Sequence, residues 1–212
     1  MAATTTTAEK TLKEMRITVA GASSLYAARL RGDDGTDGRT GFSDLFMLDC
    51  GDDFPDAATY QAGLEYIFEG YLLHYGKSRL LECDDTDFSL LAGDYMYASG
   101  LATIATLKDL NCIDALADLV QLCAFVHCES LDRTLALNAW AITTIRLARH
   151  ALGDEVRFDS LSEMVWSGSD SSQELSGLLG ALTCAQGPDG QDRLAEFDRI
   201  LLDMDFYFGA EA

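Results

Sequence analysis

Apolar residues recur at steps of three and four along almost the whole chain, and no segment alternates apolar with polar at a period of two. Side chains that return every 3.6 residues share one face of a helix, so a chain patterned this way must bury a set of helical stripes against one another. The pattern is clearest from Leu64 to Leu107, where two apolar-periodic segments flank a short acidic hinge, Glu82-Cys83-Asp84-Asp85-Thr86-Asp87. The connections are short, which favours antiparallel neighbours. We therefore expect an all-α fold: a single-domain antiparallel bundle of about eight helices over residues 12–208, behind a flexible Thr-rich N-terminus, residues 1–11.

The first helix is expected from Thr11 to Arg31, followed by a loop from Gly32 to Gly38 and a short helical piece from Phe42 to Cys50. Pro55 suits the first turn of the next helix, in which Tyr60, Leu64, Ile67, Phe68, Tyr71, Leu72 and Tyr75 form a broad stripe. Asp87 is expected to cap the helix that follows the hinge. In that helix Gly93, Ala98, Ser99, Gly100 and Ala102 are small enough to let another helix come close. Further helices are expected over 113–127, 131–152 (with Gly153 as the stop), 158–166, 174–186 and 191–208. The residues 167–172 form a loop, and Gly187-Pro188-Asp189-Gly190 a turn.

Charge narrows the partners. The chain carries 35 acidic and 15 basic residues, a net charge of -20, and its 24 Asp exceed its 11 Glu. Such a surface repels nucleic acid and anionic lipid. Abundant Asp with only 4 Lys also suits a protein that stays hydrated in concentrated salt, where self-repulsion is screened. No run of about 18 uncharged apolar residues suggests a membrane span, and the start of the chain does not read as a secretion signal, so the expected compartment is the cytoplasm. The six cysteines include no C-x-x-C pair and read as reduced.

Three groups could carry chemistry. The carboxylates Asp84, Asp85 and Asp87, with Asp94 further along, could hold Mg²⁺ together with a phosphate, or could simply complement a helix dipole. His74, Lys77 and Arg79 form the only compact basic group beside the hinge and could receive a diphosphate or a partner's carboxylates. Cys123 and His127 stand one helical turn apart, but no second pair completes a zinc site. No G-x-S-x-G, glycine-rich phosphate loop or H-E-x-x-H occurs.

A helix ending Leu72-Leu73-His74, then a connector, then Leu91-Ala92-Gly93-Asp94-Tyr95-Met96-Tyr97-Ala98, resembles the trans-isoprenyl diphosphate synthases. That family places a His shortly before its first aspartate-rich motif and opens a later helix with a phrase like L-x-G-D-Y-L-x-A. The resemblance implies an isoprenoid-synthase-like core and marks His74, Asp94 and Tyr95 as ligand-binding positions. It breaks where a synthase would have D-D-x-x-D, because Tyr75-Gly76-Lys77-Ser78-Arg79 stands there, and Asp203 and Asp205 do not restore the second motif. In that respect the chain is similar to the small, motif-less subunit of heterodimeric polyprenyl synthases.

The expected function is therefore that of a non-catalytic accessory or regulatory subunit. It would bind a protein partner, either a catalytic prenyl synthase subunit or a second copy, help shape a prenyl-chain pocket, and need no cofactor. The alternatives are an Mg²⁺-dependent enzyme acting on an isoprenoid diphosphate and a small helical carrier of an apolar ligand.

Overall fold

The computed structural model describes residues 7–32, 41–51, 53–167, 171–184 and 187–208. Among these there are ten helices and no strand, so the chain is all-α. The helices are α1 (Thr7–Ala22), α2 (Ser24–Ala27), α3 (Phe42–Cys50), α4 (Ala57–Tyr75), α5 (Thr86–Ala105), α6 (Leu110–Cys128), α7 (Thr134–Ala151), α8 (Leu161–Ser167), α9 (Ser171–Cys184) and α10 (Gly187–Phe208). The expected loop after Gly32 and the middle of the one after Ser167 lie outside the described residues.

Several boundaries move for local reasons. The first expected helix is two pieces, because the Ser23 hydroxyl caps α2 by accepting the Leu25 N–H at 3.1 Å. Residues 29–31 then run beside 80–82, with Leu30 and Leu81 in an isolated antiparallel bridge. Asp85 rather than Asp87 caps α5, accepting the Asp87 N–H at 3.0 Å. Ser130, at φ 53°, turns the chain between α6 and α7 and delays α7 to Thr134. The expected turn over 187–190 is the first turn of α10, where Pro188 lacks only an N–H that the helix start leaves unbonded anyway. Gly153, at φ 91°, ends α7 as expected.

Two helices organise the rest. From Gly63 to Leu73 every residue of α4 is buried, so this helix has no solvent face over three turns. It is surrounded by α1, α3, α5 and α6. On one side the main core gathers Phe42, Phe68 and Trp140, with Phe42 and Trp140 stacked at 5.0 Å. On the other a smaller core holds Met15, Val19, Leu80 and Met96. The helix α6 is the one described helix whose length and mean hydropathy of 1.3 would suit a membrane crossing. It carries Asp114 and Asp118 and packs against α5, α7 and α8.

The α4–α5 contact is the most extensive in the molecule and runs through glycine. Gly63 and Gly70 on α4 are seven residues apart, as are Gly93 and Gly100 on α5, so each pair lies on one helical face. The pairs meet head to tail: a Cβ at Gly100 would stand 2.9 Å from the Gly63 carbonyl, and one at Gly70 would stand 3.1 Å from that of Gly93. The helices are therefore antiparallel and in backbone contact.

The opposite face of α4 holds a buried ionic cluster. Arg79, in the connector to α5, is fully inaccessible and pairs with Glu65 at 2.7 Å and Glu69 at 3.0 Å. The Glu69 carboxylate also accepts the Arg79 N–H at 2.9 Å, the Leu80 N–H at 3.1 Å and the Ser78 hydroxyl. Glu65 accepts the Ser43 N–H at 3.2 Å and so caps α3, whose own cap position is a glycine. Burial alone would lower the Arg79 pKa, but the two carboxylates reverse this and raise it, so the guanidinium stays charged at any pH where the fold persists.

Two stability measurements follow from these contacts. Replacing Arg79 by Met strands two buried carboxylates, and urea unfolding should show a loss of about 3–5 kcal/mol, against less than about 1 kcal/mol for Arg149→Met in the exposed pair with Asp154. Gly100→Ala forces backbone apart and should cost about 1–3 kcal/mol, whereas Gly177→Ala, with nothing within 4 Å, should stabilise by about 0.5–1 kcal/mol.

Candidate functional site

The residues that the sequence singles out do not converge. Arg79 is corrected outright: it cannot receive a diphosphate, because both sides of its guanidinium are taken by Glu65 and Glu69 inside the protein. Lys77 is exposed. His74 and Asp94 do meet, at 3.2 Å, and the His74 ring stacks on Tyr97 at 5.1 Å across the gap that Gly93 leaves open. Tyr95 turns to the other side and packs on Tyr26 at 5.2 Å. Asp84, Asp85 and Asp87 are exposed, Asp85 as a helix cap, and none of them lines the groove described next.

The main concavity is a groove of about 1080 Å³ where the ends of α4 and α6 meet the start of α7 and the C-terminal half of α10. Its walls include Tyr75, His127, Arg133, Leu137, Leu201 and Phe208. Gly76, just past the end of α4, leaves room for the Phe208 ring. His127 lies flat on Tyr75 at 4.1 Å, and its Nε2 shares a hydrogen bond with the Tyr71 hydroxyl at 3.0 Å. The Arg133 guanidinium sits 4.7 Å over Phe208. The wall thus mixes aromatic and aliphatic side chains with the Arg133 cation and the carboxylates of Asp132 and Asp198.

Electrostatics there favour neutral rings. Burial, with a smaller contribution from Arg133, lowers the His127 pKa below 6.5. Burial pushes the Tyr71 phenol well up, so it remains protonated. Cys123 is fully buried with its thiol pushed up, and the His127 Nε2 is engaged by Tyr71, so the Cys123–His127 pair is a packing arrangement.

Two features escaped the sequence reading. The groove draws residues from four helices, and only the His127 position had drawn notice. The other is a cluster of Asp109, Cys112 and His150, whose ligand-type atoms lie within 4.8 Å of one another. Asp109 and Cys112 are one turn apart on α6, a spacing visible in the sequence, but His150 arrives from α7 only through tertiary packing.

Comparison of the chain with models of known protein families, with curated proteins and with solved structures finds no match in any of the three.

His127 gives a pH test. The unfolded chain takes up a proton near pH 6.5, whereas the buried ring does so only at lower pH. The stability gained by keeping it neutral is therefore full above pH 6.5 and is lost as pH falls through the native pKa. His127→Phe keeps a ring against Tyr75 and should flatten the decline in melting temperature as pH falls below about 6.5, even though its baseline drops with the loss of the Tyr71 bond. Parallel declines in the two proteins would assign the effect to other groups.

Proposed function

We propose that this chain is a non-catalytic helical subunit that docks on a partner through the outer face of α5 and holds an apolar chain of prenyl type in the groove at the end of α4. The observation that carries this reading is the exposed side of α5. Leu91, Ala98, Ala102 and Ala105 fall on one helical face, opposite the glycines that meet α4, and all are exposed; Leu91 is 61% accessible. Leu110, at the start of α6, is 72% accessible. On a protein of net charge -20, a helical stripe of small and aliphatic residues, interrupted by the exposed Asp94, is a surface a second helix carrying a cation opposite Asp94 would cover.

The likeness of the 64–107 segment to prenyl synthases supports a catalytic subunit of that class as the partner. The exposed hinge carboxylates support the non-catalytic half of the reading, since an allylic diphosphate needs metal held on two facing walls. The carrier reading is favoured by the groove alone and requires no partner.

Co-expression with the catalytic prenyl synthase subunit of the same source tests the proposal. The two should co-elute. Ala98→Arg, which places a charge in the middle of the stripe, should weaken their association at least tenfold while moving the melting temperature of the isolated chain by less than about 4 °C. A wild-type chain that stays monomeric beside the synthase, yet binds an apolar fluorescent probe in the groove, would establish the carrier instead.

A further inference from the structure

We propose that Asp109, Cys112 and His150 form a binding site for a divalent transition-metal ion of the zinc type. The site is independent of the α5 face and of the groove. It is built from the first turn of α6 and the last turn of α7.

The donor set selects the ion. A thiolate, an imidazole and a carboxylate together suit Zn²⁺ or Co²⁺ and are a poor match for Mg²⁺ or Ca²⁺, which favour oxygen alone. Three protein ligands leave a fourth position for water, the coordination of an open zinc site. Charge also fits: one thiolate and one carboxylate neutralise a dication, which matters because Cys112 is wholly buried.

The geometry needs little change. Ligand atoms around a tetrahedral zinc lie about 3.3–3.7 Å apart. Here all three lie within 4.8 Å, and the His150 Nε2 to Asp109 Oδ2 distance is 2.6 Å. Entry of the ion replaces that hydrogen bond, with the ring proton carried on Nδ1, and sets the two atoms apart at the ligand spacing. The two Asp109 oxygens divide the work: Oδ1 accepts the Asn111 N–H at 3.0 Å and caps α6, so the helix start survives when Oδ2 turns to a metal. The Tyr60 hydroxyl stands 3.5 Å from the Cys112 sulfur, placed to donate to a thiolate, an outer contact of the kind that holds metal ligands in position. The Asp109 and His150 side chains are 32% and 23% accessible, so the site is reached from solvent on that side.

The Cys112 thiol is wholly buried and gives up its proton to solvent when the ion binds. The same burial makes Cys112 inaccessible to a substrate carbonyl, which separates this cluster from a Cys-His nucleophile site.

The test uses the full-length protein stripped with a chelator and titrated with Co²⁺, then with Zn²⁺ in competition. One equivalent of Co²⁺ should bind with a thiolate-to-cobalt charge-transfer band and the intense visible absorption of a tetrahedral ion, and Zn²⁺ should displace it. Cys112→Ser should abolish the charge-transfer band. His150→Gln and Asp109→Asn should each weaken binding at least tenfold, while Cys128→Ser, on the exposed end of α6, should leave it unchanged. Asp109→Asn retains a cap acceptor, so it remains informative if Cys112→Ser fails to fold. Failure to bind Co²⁺, binding without the thiolate band, or equal affinity in the Asp109 and His150 variants would overturn the proposal.

Discussion

A guanidinium held between two carboxylates in a dry interior sets the layout of this protein. Glu65 and Glu69 sit one turn apart on the face of α4 opposite the α5 contact, and Arg79 pairs with both. Moving three charges out of water is expensive, and a buried pair of this kind is weak evidence for net stability. Its effect is on arrangement. Glu65 holds the start of α3, while Glu69 gathers Ser78, Arg79 and Leu80 into a tight connector. That connector drives Leu80 and Leu81 into the smaller core and sets residues 80–82 beside 29–31. The cluster thus ties α3 and the connector before α5 to one place on α4.

The other face of α4 is fixed by absence of side chains. With Gly63 and Gly70 against Gly100 and Gly93, the two helices touch backbone to backbone. A prenyl chain therefore has no room between α4 and α5. The space that exists lies beyond the end of this contact, where Tyr75 leaves the helix and Gly76 admits Phe208. The glycine contact also turns the opposite side of α5, with Leu91 and Ala98, outward. One packing decision thus accounts for both the closed interior of the hairpin and its open outer stripe.

Much of this fold is legible in the primary structure because helical periodicity is local. The stripe Tyr60, Leu64, Ile67, Phe68 and Tyr71 identifies α4 without knowledge of its neighbours. The small residues at Gly93 and Gly100 announce a close approach, although their partners Gly63 and Gly70 pass as ordinary members of an apolar helix. Arg79 misleads for a physical reason. In sequence it lies next to Lys77 and an acidic hinge, which suggests solvent, and only the pairing of Glu65 with Glu69 inside an otherwise apolar helix hints that a cation must come to them. The groove and the His150 contact depend on how helices distant in sequence dock, and no local pattern encodes that.

The excess of Asp over Glu has a structural component that bears on where metal can bind. Asp85, Asp109 and Asp132 each accept an N–H two residues on, at a helix start, and Asp118 accepts the Leu161 N–H at the start of α8. Asp reaches those positions because its side chain is short; Glu does not do so as well. Each such carboxylate is already stabilised by a backbone donor and by the helix dipole, and it gains less from a cation than a free carboxylate would. This explains why the acidic hinge before α5 is a capping segment facing water. Asp109 adds to its backbone contact a second one: its other oxygen shares a hydrogen bond with the His150 ring at 2.6 Å, beside the Cys112 thiol. A cap with one oxygen committed to the helix and the other to soft donors is already oriented for an ion, so on this very acidic chain the favoured transition-metal site is the one with the fewest carboxylates.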